Sequence, residues 1–354
     1  MNFGFWKNRR VFLTGHTGFK GGWTALWLTK LGAKVYGYSL APPTTPNFFL
    51  ITKLRKILTK STIGDINDIE NLKKEINIAK PSIIIHMAAQ SIVSESYLKP
   101  VETFLTNIIG TMNVLEIARN NDFIEAVINV TSDKCYEVSK KKRAYKETDR
   151  LGGRDPYSSS KACSELITTA YKKSFFSNIG LASVRAGNVI GGGDWAKNRL
   201  IPDFFNSLYK KKIMYIRSPN FIRPWQHVLE PISGYLLLAE KLAKNKNKYS
   251  DCWNFGPSPK NVKSVSQILN FLKKRHKSLK FQTNDNLNIY ETKLLQIDST
   301  KSKSLLGWKN HWDLTTALIK TSEWYEAFQE KKNMMNFSLS QISSYEDRIK
   351  KIKK

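Results

Sequence analysis

The stretch Arg10-Val11-Phe12-Leu13-Thr14-Gly15-His16-Thr17-Gly18-Phe19-Lys20-Gly21-Gly22 decides the fold. Its first five residues read as a short buried strand, and the apolar run from Trp23 to Leu31 reads as a helix. Strand, glycine turn and helix in that order open a dinucleotide-binding βαβ unit. Gly15 permits the tight turn, Gly18 lets a pyrophosphate approach the backbone, and Gly21 lets the helix pack close to the strand. The helix start then offers N–H donors and a positive dipole end to phosphate. The glycine spacing is Gly-x-x-Gly-x-x-Gly rather than Gly-x-Gly-x-x-Gly. His16, Phe19 and Lys20 of the same turn are counted with the cofactor contacts.

Outward from this unit, apolar runs alternate with helical patterns. The runs are Val11 to Thr14, Lys34 to Tyr38, Ser61 to Ile63, Ile83 to His86, Ala126 to Thr131 and Gly180 to Arg185. Helices are expected over Lys20 to Leu31, Asn67 to Ile78, Tyr97 to Asn120 and Pro156 to Ser174. This alternation predicts an α/β fold with a doubly wound parallel sheet, whose ligands bind beyond the carboxyl ends of the strands. After Arg185 the pattern loosens, and Pro202, Pro219 and Pro224 punctuate it. The division expected is a dinucleotide-binding domain over 1–186, with return segments around 226–256, and a smaller substrate lobe over 187–330. A basic tail over 331–354 either forms a terminal helix or frays.

The chain has 354 residues, enough for two lobes with a sizeable core. Its 41% hydrophobic and 12% aromatic content excludes a disordered chain. The net charge is +28, with basic clusters at Lys140 to Arg143, Lys210 to Lys212 and Arg348 to Lys354. The lysines are spread along the whole chain, which argues against nucleic-acid binding and for steering of an anionic small substrate. No run is long and apolar enough for a membrane span, and no signal peptide is read at the N-terminus. Cys135, Cys163 and Cys252 show neither paired nor metal-like spacing, which fits a reducing cytoplasm and no metal.

The residues just beyond each strand carry the chemistry. Asp155-Pro156-Tyr157-Ser158-Ser159-Ser160-Lys161 places a phenol and an ammonium at i and i+4, on one helix face. A cation beside a phenol favours the phenolate and brings it toward use as a base, so Lys161 is expected to lower the Tyr157 pKa. Ser132, Asp133 and Lys134 follow the fifth strand, opposite that helix. Asp65 and Ile66 follow the third strand, facing an adenine edge. Ala88, Ala89 and Gln90 follow the fourth, where small residues permit close approach of a cofactor, and Asn107 lies on the helix packed beside them. The second strand ends in Tyr38-Ser39-Leu40, without the carboxylate that usually holds the adenosine ribose, so these residues leave NAD and NADP undecided.

Taken with Leu151-Gly-Gly, Ala186-Gly-Asn-Val-Ile-Gly-Gly-Gly-Asp-Trp195, Arg199-Leu-Ile-Pro202 and Arg223-Pro-Trp-Gln-His-Val228, these motifs resemble the extended short-chain dehydrogenase/reductases. More narrowly, they resemble the CDP-glucose 4,6-dehydratases, from about Phe5 to Phe328. The resemblance implies NAD as cofactor, CDP-glucose as substrate and a homodimer. It also implies substrate contacts at Ser91, Asn188, Arg199, Leu200, Ile201, Arg223 and His227. On this reading Tyr157 takes the proton of the sugar 4-hydroxyl, Ser132 polarises that hydroxyl, and Lys161 also holds the nicotinamide ribose. Asp133 gives a proton to the departing C6 hydroxyl, and neutral Lys134 acts at C5 or simply pairs with Asp133. Arg223 grips the pyrophosphate or forms a surface ion pair. Leu200 and Ile201 are substrate contacts or ordinary core. The rival reading is a nucleotide-sugar 4-epimerase, which needs Tyr157 and Lys161 but no acid–base pair at C5 and C6.

Overall fold

A computed structural model describes residues 1–138, 143–216, 218–283 and 295–351. Most of the Lys140 to Arg143 cluster and the last three residues of the basic tail lie outside the described residues. Seven strands form one parallel sheet: β1 (Arg10–Thr14), β2 (Lys34–Ser39), β3 (Lys60–Ile63), β4 (Ile83–His86), β5 (Ala126–Val130), β6 (Gly180–Arg185) and β7 (Cys252–Asn254). Their order is β7-β6-β5-β4-β1-β2-β3. The first six strands match the expected runs. β7 is an addition, supplied by the returning second half.

Alternation along the strands explains why both faces are covered. Val11 and Leu13 face one hydrophobic cluster while Phe12 faces the other. Ile83 and Ile85 likewise part from Ile84. A strand apolar on both sides needs helices on both sides. The helices used below are α1 (Phe19–Lys30), α2 (Gly110–Arg119), α3 (Pro156–Ser174), α4 (Leu200–Tyr209), α5 (Leu229–Lys244), α6 (Leu314–Gln329) and α7 (Met334–Lys351).

One expected helix is broken. Tyr97 to Asn120 is not continuous: short helices cover Val93–Leu98 and Pro100–Phe104, a π turn covers Leu105–Ile109, and α2 follows. Pro100 has no amide hydrogen, and it forces Lys99 out of the helical region, at φ −133° and ψ 62°. Within the 331–354 segment Met334–Lys351 forms α7, with Tyr345, Ile342 and Ile349 buried in the main core. Glu346 of α7 accepts from Trp27 Nε1 at 2.9 Å and pairs with Lys30, both on α1. No helix among the described residues is long and apolar enough to cross a membrane.

The sheet order reverses at β1, whose neighbours are β4 on one side and β2 on the other. A crevice opens at that switch point. Beyond it, two-stranded ribbons frame the second half. Val189–Ile190 pairs with Gln226–His227, and Ile222–Pro224 pairs antiparallel with Val262–Ser264.

Candidate active site

The crevice is built by close backbone approach. Gly15 has φ +76°, and a Cβ there would stand 2.7 Å from the Ala88 amide nitrogen. A Cβ on Gly21 would stand 2.0 Å from the Gly15 carbonyl oxygen, so only glycine lets α1 sit down on the turn. Gly18 caps α1 without a side-chain hydrogen bond, leaving the first-turn amides of α1 to a ligand. The Phe19 ring packs back toward Gly191. Thr17 donates to the Leu40 carbonyl at 2.9 Å and bonds Ser39 at 2.8 Å, tying the turn to the end of β2. A glycine cradle and an uncapped helix start at a sheet's switch point fit a dinucleotide pyrophosphate.

The wall at the end of β4 is a closed polar network. Thr14 Oγ1 accepts from the Met87 and Ala88 amides at 3.0 Å, so its own proton goes to His86 Nδ1, 2.8 Å away. His86 Nε2 then faces Thr111 Oγ1 at 3.3 Å, and Thr111 donates to the Asn107 carbonyl. Asn107 accepts from the Gln90 amide and donates to the Gln90 carbonyl and to Ser160 on α3. Burial holds His86 neutral, with its pKa lowered to about 3, helped by the nearby Lys161 charge. Behind β5, Glu165 of α3 and Arg185 of β6 form an enclosed ion pair at 2.7 Å, and Glu165 also accepts from Thr131 and Ser183. These bonds fix α3 against the strand ends.

On that frame α3 and the turn after β5 meet. Asp155 caps α3, and Pro156 fits its first turn. Tyr157 and Lys161 are both buried on the face turned to the site. Ser132 Oγ accepts from the Lys134 amide at 3.2 Å and donates to Asp133 Oδ1 at 3.2 Å. Asp133 Oδ2 is buried and has no protein partner. Gly187 makes room for it, since a Cβ there would lie 2.7 Å from that oxygen. Burial raises the Asp133 pKa against the lowering pull of Lys134, Ser132, Arg223 and Lys20, favouring the protonated acid.

The expected effect of Lys161 on Tyr157 is not what the structure shows. Burial pushes the Tyr157 phenol up to about 12; a hydrogen bond with Ser132 and the Arg199 charge pull it down, and Asp133 pushes it up. Lys161 Nζ instead reaches the Val130 carbonyl, at 3.4 Å. Burial, with Lys20 nearby, lowers the Lys161 pKa to about 8. The physical reason is distance from water: a desolvated phenol resists ionisation more than its neighbours assist it.

Other expected contacts divide. Lys20 reaches inward: its ammonium lies 5.8 Å from the Tyr235 ring centroid, and burial lowers its pKa to about 8, with Arg199 lowering and Asp133 raising it. Arg199 pairs with Asp194 at 3.0 Å and donates to Ser91 at 3.1 Å, at the mouth of the site. Arg223 is buried and not at the surface, and its charge is felt by Asp133. Asn188 offers its carbonyl to the Gln226 amide at 3.2 Å, beside the Gly187 position. Ala88 and Ala89 stay half-buried along the crevice.

Several side chains turn elsewhere. The His16 ring is enclosed, bonds Ser61 at 2.7 Å and fills the space above Gly37. Asp65 is exposed, and its carboxylate accepts from the Asn67 amide. Ile66 is buried against Gly110. The Gln90 side chain binds its own loop, at Ile92 and Thr103. Ile201 is core, and Leu200 packs partly against it. His227 is sealed between Trp23 and Trp312, with ring centroids 6.1 and 4.8 Å away, and its ring packs as core. Tyr235 of α5 was missed. It is fully buried, its hydroxyl has no partner, and burial pushes its pKa up, with Asp133 and Tyr157 adding to the rise. Nothing in its local sequence marks it, because the helix it lies on returns from the second half.

The chain matches the family described as GDP-mannose 4,6 dehydratase over residues 12–321. CDP-glucose 4,6-dehydratase of Salmonella typhimurium is 45% identical over 349 residues, covering 96% of this chain and 97% of that one. Among solved structures, an epimerase of Methanothermobacter thermautotrophicus has a TM-score of 0.81 at 20% identity, covering 92% of this chain and 95% of that one. A dTDP-glucose 4,6-dehydratase of Bacillus anthracis, solved with NAD, has a TM-score of 0.75 at 21% identity, covering 92% and 99%. The two structures establish the fold, and the sequence matches establish that the chain belongs to the GDP-mannose 4,6 dehydratase family, on the branch that carries CDP-glucose 4,6-dehydratase.

Proposed function

We propose that this chain is a lyase converting CDP-glucose to CDP-4-keto-6-deoxyglucose. The observation that carries the reading is the Asp133–Lys134 pair beside Tyr157, in a chain 45% identical to CDP-glucose 4,6-dehydratase along almost its whole length. The cofactor is NAD, which the glycine cradle at Gly15, Gly18 and Gly21 is shaped to receive. When bound, NAD supplies a hydride acceptor that takes the hydrogen of C4 and returns it to C6.

The chain's own residues divide the proton work. Tyr157 takes the proton of the 4-hydroxyl, and Ser132 holds that oxygen. The resulting ketone makes the C5 hydrogen acidic enough for Lys134 to remove. Asp133, whose raised pKa favours the protonated form, donates to the C6 hydroxyl as it leaves. Lys161 orients the nicotinamide ribose, and Arg223 and Arg199 hold the anionic part of the substrate. An epimerase has no use for a buried acid at C6. Incubation with a panel of nucleotide-glucoses tests the reading. A 4-keto-6-deoxy product from CDP-glucose supports it; a 4-epimer, or turnover of a different nucleotide-hexose only, replaces it.

The working form is a homodimer in the cytoplasm. Leu98 and Val101 are 76% and 68% exposed, and Leu105 and Leu166 are exposed as well, on the adjoining helices before α2 and on α3. Pairing this apolar face with a second copy would bury it in an isologous bundle. A monomer mass independent of concentration would refute that.

A further inference from the structure

Resting on the dehydratase reading above, we propose that the Ser132 hydroxyl is a proton relay joining Tyr157 to Asp133, so that the proton removed from the sugar 4-hydroxyl is the one delivered to the departing C6 hydroxyl. Three observations carry it. Ser132 Oγ donates to Asp133 Oδ1 at 3.2 Å and lies close enough to the Tyr157 phenol to pull its pKa down. All three residues are buried, at 6%, 3% and 7% exposure, so water does not freely supply or remove their protons. The other Asp133 oxygen is buried and has no protein partner.

The proton balance requires such a link. Oxidation at C4 sends a hydride to the cofactor and a proton to Tyr157. Elimination breaks the C6–O bond, and that oxygen takes a proton from Asp133 to leave as water. The C5 proton departs and returns to the same carbon. Without a link, each turnover would leave Tyr157 one proton richer and Asp133 one poorer, and both would have to exchange with solvent. With the relay, Tyr157 accepts from O4 as it passes its own proton to Ser132 Oγ. Ser132 passes its hydrogen to Asp133 Oδ1, a carboxylate when oxidation begins, and Asp133, protonated by that transfer, then gives a proton to O6 and is a carboxylate again. At the end all three groups carry the protons they began with. A phenol held protonated by burial can still act as a base, because it receives and gives in one movement.

The test compares the parent with Ser132→Ala and Ser132→Thr, with substrate saturating. Product formation by the parent is checked first; failure there sinks the dehydratase reading and not the relay. Ser132→Ala should turn over roughly 10²-fold more slowly, the lower range for a displaced proton-transfer group. Its turnover should also acquire a pH profile the parent lacks, or rise with the concentration of a small buffer such as imidazole, because Tyr157 and Asp133 must now exchange protons with solvent. Ser132→Thr keeps a hydroxyl and should restore most of the loss together with the parent's insensitivity to buffer. A serine that only packs or only polarises the 4-hydroxyl would slow the Ala variant equally at every pH and buffer concentration. That outcome, with profiles that superimpose on the parent's, overturns the relay.

Discussion

The two walls of the crevice treat their polar groups in opposite ways. On the β1–β4 wall, Thr14, His86, Thr111, Asn107 and Ser160 direct their hydrogen-bonding atoms at one another and at the backbone. On the wall made by the turn after β5 and by α5, Asp133 Oδ2 and the Tyr235 hydroxyl are buried with no partner. A buried polar atom left unpaired costs about 1–3 kcal/mol. A satisfied network therefore marks where the protein holds itself, and an unsatisfied one marks where it is built to hold something else. The charges follow the same division. The Glu165–Arg185 pair is closed off behind the sheet, whereas Lys20, Lys161, Arg199 and Arg223 converge around Asp133 and Tyr157.

The largest effect should come from the reactive wall. Tyr157→Phe removes the hydroxyl and keeps the ring, so turnover should fall roughly 10²–10⁴-fold while the melting temperature holds or rises. Near-parent turnover would end the assignment of the base. The scaffold wall should respond in the opposite manner. Glu165→Ala leaves Arg185 buried and unpaired, and breaking such a pair costs about 3–5 kcal/mol. Denaturant unfolding should show that loss directly; a change below about 1 kcal/mol would mean the pair is not the brace described here.

A smaller effect is expected at Arg223. Hydrogen bonds to a charged group are each worth about 1.5–3 kcal/mol, so Arg223→Ala should weaken CDP-glucose binding roughly 10- to 150-fold and flatten part of its salt dependence. Unchanged binding by calorimetry would put the pyrophosphate elsewhere.

A further test of the buried scaffold is acid. Burial lowers His16 to about 4 and His86 and His227 to about 3, from an ordinary 6.5. Groups whose folded values are depressed contribute stability that is full above the unfolded value. Below pH 6.5 the unfolded chain takes up protons first, so each histidine should cost about 1.4 kcal/mol per pH unit until its own folded value is reached. The unfolding midpoint should therefore fall steadily from pH about 6.5 downward. A midpoint flat to pH about 4.5 would show that these rings are not held neutral.

How much of this was legible in the chain differs between the walls. Gly15, Gly18 and Gly21 announced the cradle because a local turn dictates them. Tyr157 and Lys161 announced the reactive helix because helix periodicity puts i and i+4 on one face. Asp133 and Lys134 stood out as ionisable residues directly after a strand. The alternatives left open for Ile201, and the core packing of His227, were decided only by tertiary structure, because motif position says which loop a residue is on and only packing says which way it turns. The break at Pro100 was readable from proline's missing amide but was hidden by the apolar pattern on either side.

Local sequence by itself determined the six leading strands, the glycine turn and the Tyr157–Lys161 face, because each depends on bonds and periodicities that span only a few residues. The tertiary structure alone decided that β7 completes the sheet and that α7 docks on α1. It also decided that Tyr235 and Lys20 arrive beside Asp133, and that burial holds Tyr157 protonated while raising the Asp133 pKa. Those outcomes rest on contacts between residues far apart in the chain and on the exclusion of water, and neither is written in any short stretch of sequence.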